Sequence, residues 1–450
     1  MKTILLCLII FTSVAHSKEL SLTDHNSLTA IKSVSLGEQI QVTDVDLDHL
    51  GTVTLNLKRF KVFADNAEVL IHGDQGTTRQ AMPNNVYFSG DIHGLKGSRV
   101  FIGFLENGDI DGIIETDDST KYQLNRMKGH QFKLDKPDTD ALTQSDSRYF
   151  NPKDFIEIPE SEVIQQRTLT TEQRGSNIDY QLNIAIETDY EFYQFFNDIG
   201  DEIDYISGLI GYLSFMYYNE INTFVLLSHV SVWTTSNDPW DATKTDCALY
   251  EVGKYWNDTH GNINRAITHF ISGKSLWGGI AWKGVLCRGS FNLDITNANC
   301  GFSNDYGNYG GAYGVSTSLS GSFNPTNPQP VWDIVVVSHE IGHNFNSEHT
   351  HCYNNPVDEC YNDEAGCFSG TETLPGPINQ GSGTIMSYCH LLGGGLNNIS
   401  LTLGKNHPFG NQPQRVPNKM RSHVVSQFIS NPQCITPAAD DFIFMNGFEN

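Results

Sequence analysis

Apolar and polar positions alternate through the first third of the chain and settle into helical stripes further on. Residues 41–47 and 51–60 are strand-like stretches in which apolar and polar side chains largely alternate, which predicts β structure. From residue 138 to 174 the pattern lapses. Thr, Ser, Gln and Glu crowd together there and predict an exposed linker, with Arg167 and Arg174 as candidate processing sites. Periodicity returns near Asn177. Tyr180, Leu182, Ile184 and Ile186 at period two predict a strand, and residues 189–196 a short helix. Ile203, Ile206, Ile210, Leu213 and Tyr217 form a helical stripe, and 224–233 is a further strand. This β-α-α-β order fits an α/β (α+β) domain with a twisted mixed sheet flanked by helices. Residues 300–330, rich in Gly, Ser, Asn and Pro, predict a loop. The β-branched run 334–337 suits a buried strand or a helix. Asp333 just before it is a candidate N-cap and favours the helix.

Composition adds a compartment. Lys2, an apolar run over 4–14 and Ala15-His16-Ser17 make residues 1–17 a candidate signal peptide, so the chain is expected to be secreted and extracellular, starting near Lys18. No other stretch is long and apolar enough for a membrane span. With 52 acidic against 28 basic residues the net charge is -24, which repels nucleic-acid phosphates and anionic membranes. Nine cysteines are present; setting aside Cys7 in the leader leaves eight, all after residue 246. An even number in a secreted chain implies disulfides, confined here to one half of the molecule.

The candidate chemistry lies in His339-Glu340-Ile341-Gly342-His343-Asn344-Phe345-Asn346-Ser347-Glu348-His349. On a helix His339 and His343 share a face, and Glu340 can face water on an ion they hold. His349 reaches the same point only if the chain turns back near Asn346. Three protein ligands leave a fourth position open, the pattern of a catalytic zinc. His351 is a rival third ligand. Glu364, 21 residues after His343, is another.

Together with Gly383-Thr384-Ile385-Met386-Ser387-Tyr388 downstream, these residues resemble the metzincin zinc peptidases, whose signature HExxHxxGxxH precedes a Met-turn. The chain is closest to the adamalysin/reprolysin-like secreted bacterial peptidases that carry a propeptide. Asn346 stands where the family has Gly; Asn is the next best residue for a left-handed helix end. The resemblance implies zinc on His339, His343 and His349, Glu340 as general base, and Met386 on a turn beneath the histidines. Without the upstream motif Met386 would be ordinary core. Tyr388, two residues on, either steadies an oxyanion, as in the astacin and serralysin branches, or is a buried Tyr bonded to backbone. Gly279, Ile280, Ala281 and Trp282 resemble the family's edge strand, which pairs with extended substrate; an ordinary Gly-flanked strand would read alike. A Cys352–Cys389 bridge would tie the third ligand to the Met-turn.

The implied layout is a signal peptide (1–17), a mainly β propeptide and linker (18–174), a catalytic domain (175–435) and a tail (436–450). Residues 86–94, 98–100 and 108–112 resemble an adamalysin-type propeptide. That segment has no Cys to plug the zinc. Phe88-Ser89-Gly90-Asp91 matches an astacin latency pattern, which makes Asp91, with His93 nearby, a latency candidate; a turn role for Asp91 is the alternative. The expected function is a monomeric zinc endopeptidase acting on proteins or peptides. Calcium has no specific support in the sequence. The alternatives are a gluzincin-type peptidase using Glu364, or a catalytically dead adhesion or matrix-binding protein, against which the intact Glu340 argues.

Overall fold

The computed structural model describes residues 18–21, 25–47, 50–127, 131–135, 154–162, 178–319 and 330–438. The signal peptide, Arg167, Arg174 and all but the start of the tail lie outside them. The first segment contains β1 (Lys18–Ser21), α1 (His25–Lys32), β2 (Gln39–Leu47), β3 (Gly51–Phe60), β4 (Phe63–Gly73), β5 (Gly76–Ala81), β6 (Val86–Ile92), β7 (Arg99–Phe104), β8 (Ile110–Glu115), β9 (Lys121–Met127) and β10 (Gln131–Asp135). Eight of these strands form one sheet in the order β1-β2-β3-β6-β7-β8-β9-β10. All its pairings are antiparallel except the parallel β1–β2. The alternation read from the sequence fills one core with Val42, Leu55, Leu57, Phe88, Ile102 and Ile114.

The same segment ends with β11 (Phe155–Ile156), and the second half continues with β12 (Tyr180–Thr188), α2 (Tyr190–Phe196), α3 (Ile199–Ile221), β13 (Thr223–Trp233), α4 (Thr245–Thr259), β14 (Ile267–Ile271), β15 (Gly279–Trp282), β16 (Phe291–Asp294), β17 (Tyr306–Gly310), β18 (Tyr313–Ser316), α5 (Pro330–Asn344), α6 (Arg415–Ser430) and β19 (Ile435–Pro437). The large sheet runs β11-β15-β18-β14-β12-β13-β4-β5, with β19 also on β12, and β16–β17 is a small hairpin. The molecule is a mixed α+β protein with a mainly β region ahead of its larger sheet. Its central strands are parallel and buried on both faces, so β13 and β14 read as near-continuous apolar runs.

Local chemistry sets the helix ends. The Asp189 carboxylate accepts from the Phe192 N–H at 2.8 Å, and that of Asp198 from Asp201 at 3.1 Å. Asn197 and Asn222 close α2 and α3 in the left-handed region, at φ 53° and 50°.

Several expectations need correcting. Residues 306–316 are not all loop. They supply β17 and the interior strand β18, because Tyr309, Tyr313 and Val315 find a buried face that glycine-rich composition does not reveal. Asp333 lies within the first turn of α5 and accepts from the Tyr205 hydroxyl instead of capping the helix. The disulfides are Cys247–Cys300, Cys287–Cys434, Cys352–Cys367 and Cys360–Cys389, so Cys352 and Cys389 are both bridged but not to each other. The stretch 138–174 is not exposed throughout, since Asp154 is buried and β11 joins the large sheet.

Candidate metal centre and its cover

Helix α5 carries the site. It ends in a left-handed turn at Asn346, φ 74°. The Ser347 N–H reaches the Gly342 carbonyl at 3.0 Å and the Asn346 N–H reaches that of His343 at 2.8 Å, the two bonds of a Schellman ending. That turn sends the chain back so that His349 faces His339 and His343. Ring centroids in the trio lie 4.8–5.2 Å apart.

Each imidazole is held from behind. Nδ1 of His339 donates to the Ile385 carbonyl at 2.7 Å, and Nδ1 of His343 to that of Ser347 at 2.9 Å. Nδ1 of His349 donates to Glu364 Oε2 at 2.6 Å. Carbonyls and carboxylates only accept, so Nδ1 of each ring carries a proton and Nε2 faces inward, as a lone pair whenever the ring is neutral. All three Nε2 atoms are buried without a hydrogen-bond partner. Convergent, dry lone pairs repel one another unless a cation lies between them, and fixed neutral imidazoles are what zinc takes. The residues therefore fit zinc.

A carboxylate that the sequence reading missed sits among them. Asp154 Oδ1 is 2.7 Å from His349 Nε2 and 3.4 Å from His343 Nε2, and Oδ2 is 3.2 Å from His339 Nε2. The four groups together form a four-ligand cluster. Burial alone would raise the Asp154 carboxyl, but His349 and His339 outweigh it and hold the group well below the usual carboxylate range. Burial works against charge on His349 too, yet Asp154 and Glu364 lift that ring to about 9, while burial keeps His343 down at about 4. A single cation shared among these groups, whether a proton or a metal, is what the electrostatics ask for. A hint of Asp154 existed in the sequence: Asp154-Phe155-Ile156-Glu157-Ile158 breaks the polar linker with apolar residues.

Asp154 is delivered by β11, which pairs in parallel with β15, Phe155 opposite Ala281 and Ile156 opposite Trp282. The Ala281 N–H donates to the Asp154 carbonyl at 2.8 Å and the Lys283 N–H to that of Ile156 at 3.0 Å. The Phe155 ring lies 4.8 Å from that of His343, and Glu157 pairs with Lys283. Gly279 to Trp282 thus form the strand against which this segment is laid. With the segment in place the space beside His339, Glu340 and Tyr388 is about 20 Å³, room for a single water. The much larger cavity of about 630 Å³ contains none of the histidines.

The other singled-out residues fall around this point. Glu340 is buried, and a Cβ on Gly279 would come 2.4 Å from its Cγ and Oε1, so the glycine makes room for it. Burial, reinforced by Asp154, pushes the Glu340 carboxyl well up. Met386 lies under the helix, where a Cβ on Gly342 would meet its Sδ at 2.4 Å. Tyr388 donates to Asp154 Oδ2 at 2.5 Å. Glu364 touches the far nitrogen of His349 and, at 2.8 Å, His351 Nε2. Both rivals for third ligand therefore stand behind His349 and away from the convergence point. Asp91 and His93 also belong elsewhere. Asp91 lies on β6 in the smaller sheet, where it accepts from Asn56 at 2.8 Å, and among the described residues the carboxylate that meets the trio is Asp154.

Residues 179–400 match the Reprolysin_5 model, described as metallo-peptidase family M12. That match supports a metzincin-like zinc metallopeptidase. The chain is also similar to two solved structures. One is metalloproteinase-II from Bacteroides fragilis, 15% identical, covering 74% of this chain and 89% of that one, with a TM-score of 0.34. The other is a chaperone-substrate complex, 10% identical, covering 87% and 48%, with a TM-score of 0.33. A comparison with curated proteins gives no match. The match to the family M12 model supports a zinc-dependent peptidase, and among the described residues no helix is long and apolar enough to cross a membrane.

Proposed function

We propose that the chain is a secreted zinc endopeptidase made as a latent precursor, with residues 1–17 as signal, 18–174 as propeptide and linker, 175–435 as catalytic domain and 436–450 as tail. The observation that carries this is the convergence of three buried Nε2 atoms beside Glu340, each ring fixed at Nδ1 by an acceptor. His339, His343 and His349 hold the metal. Bound there, zinc supplies Lewis acidity toward a scissile carbonyl and an acidified water. Glu340 takes the proton of the attacking water and delivers it to the leaving amine. The Tyr388 hydroxyl, once released from Asp154, donates to the developing oxyanion. Strand β15, now paired with residues 155–156, receives the extended substrate through its main chain. Latency follows from the same geometry: Asp154 takes the open ligand position and β11 takes the substrate's strand. Protein or peptide substrates, a monomeric state and an extracellular location complete the reading.

Glu340→Gln tests it on the processed protein. Casein hydrolysis should fall by about 10²–10⁴-fold, with zinc content unchanged. Undiminished hydrolysis, or a wild-type protein that takes up no zinc, would end the proposal.

A further inference from the structure

The first segment lends strands to both margins of the large sheet. At one it lays down β11; at the other it adds β4 and β5. We propose that residues 18–135 stay bound after processing, as a permanent second chain of the working enzyme, and that opening the site requires only the departure of the stretch around Asp154. This rests on the zinc-peptidase reading with Asp154 as the displaceable ligand.

Three observations carry it. First, β4 runs parallel to β13 with Glu68–His72 opposite His229–Trp233, and β13 is buried along nearly its whole length. Bonds from the Leu227 N–H to the Val62 carbonyl at 2.8 Å and from the Thr234 N–H to that of His72 at 2.9 Å extend the ladder at both ends. Removing β4 would leave a long, flat, apolar edge strand, which proteins avoid exposing.

Second, α3 is buried all round, with all but four of its 23 residues out of solvent. Such a helix needs cover on every side. The first segment supplies one side. Phe101 meets the Tyr212 ring edge-on at 5.8 Å. At Gly211 a Cβ would lie 2.8 Å from Phe101 and 3.0 Å from Val62, so the helix omits a side chain where these two sit. Phe60, Val62, Val69, Tyr87, Phe101 and Ile113 belong to the catalytic half's own core.

Third, a buried charged group braces the floor of the site. Glu115 pairs with Arg99 at 2.9 Å and accepts from the Leu401 N–H at 3.2 Å, while Lys121 Nζ donates to the Ile399 carbonyl at 2.7 Å. The stretch those groups hold bonds in turn to the Met-turn, Gly383 N–H to Asn398 at 2.7 Å and Ile385 N–H to Thr402 at 2.9 Å. Ile385 is the residue whose carbonyl orients His339. Loss of the first segment would leave the buried Leu401 N–H and Ile399 carbonyl without these partners, and a buried backbone group with no partner is unfavourable.

The test introduces recognition sites for a sequence-specific protease within 136–153 and within 163–177 of the full chain lacking its leader. After hydrolysis at both, native size-exclusion chromatography with denaturing analysis of each fraction follows. The expected result is co-elution of 18–135 with the catalytic piece and loss of the small Asp154 peptide. Separate elution of 18–135 with a folded, monodisperse catalytic piece would overturn the proposal. Amide exchange across Thr223–Trp233 gives a second readout: retained protection supports it, and exchange at the rate of a free edge strand overturns it. Casein hydrolysis on the same fractions reports on the underlying reading separately. Co-elution without hydrolysis would count against the peptidase reading alone. Hydrolysis in fractions free of 18–135 would count against the permanent chain alone.

Discussion

Strands β11 and β4 come from the same segment and join the same sheet, yet they are held in opposite ways. β11 is two residues long, is flanked by bonds from the Ala281 and Lys283 N–H groups to the Asp154 and Ile156 carbonyls, and leaves both its side chains half-buried. β4 is eleven residues long, continues a parallel ladder, and is backed by apolar residues sunk into the catalytic core. A net hydrogen bond contributes about 0.5–1.5 kcal/mol, whereas burying one large apolar side chain contributes about 1.5–3 kcal/mol. The contact laid over the histidine trio is thus the thin one, and the contact that builds the sheet is the thick one. On the function proposed above, a precursor organised this way can lose its cover without losing its scaffold.

The comparison can be broken from either side. The largest effect is expected at the cover. Asp154→Ala removes the carboxylate from the trio and leaves the β11 pairing, Phe155 and the Glu157–Lys283 ion pair to hold the segment. The uncut chain should then hydrolyse peptides at least about tenfold faster than the wild-type precursor, each 1.4 kcal/mol of lost cover being a factor of ten. An unchanged rate for the uncut variant would show that β11 blocks by its backbone alone. On the scaffold side, Phe101→Ala should destabilise the chain by about 3–5 kcal/mol, as for other buried Phe truncations, read as a shift of the chemical denaturation midpoint. A loss confined to the smaller sheet's own transition would mean that Phe101 does not couple the two halves.

Glu364→Gln separates the site from its cover. The amide can still accept from His349 but loses the charge behind the ring. Zinc affinity of the processed protein should fall about 10–100-fold, with the denaturation midpoint little changed. Equal affinity would reduce Glu364 to a loop contact.

The smallest effect is expected from pH. Burial, then Asp204, pushes the Asp111 carboxyl up to about 8, and burial raises Asp204 itself to about 6. Asp109, Asp201 and Glu106 face the same junction and add negative charge, the Tyr87 hydroxyl lies there too, and Asn85 donates to Asp204 at 2.6 Å. The docked state keeps protons that the separated carboxyls give up near their ordinary values. Stability of docking is therefore fully present below about pH 4 and is lost as pH rises toward about 8. In the cut protein, dissociation of 18–135 should be faster near pH 9 than near pH 5; the opposite trend would remove Asp111 and Asp204 from the account.

Much of the site was legible in the sequence because it is local. His339 and His343 share one helical face through spacing alone, with Glu340 beside it, and Asn346 supplies the left-handed turn that returns His349. The alternation at 180–186 and the stripe from Ile203 to Tyr217 mark β12 and α3 for the same reason: periodicity is a property of neighbouring residues. What tertiary structure alone decided are pairings across long separations. Asp154 meets His339 across 185 residues of chain, and the apolar residues that interrupt the polar linker at 155, 156 and 158 do not say which group their neighbour Asp154 will face. The Phe88-Ser89-Gly90-Asp91 pattern drew attention to a different Asp because four letters fix a turn but not its neighbours. Glu364, distant enough to rank as a ligand, came to stand behind His349 because the Cys352–Cys367 bridge holds its loop there. Charge, spacing and period are written along the chain. Which buried groups face one another is set by the packing of whole sheets, where the energy of each contact depends on burial that no single segment creates.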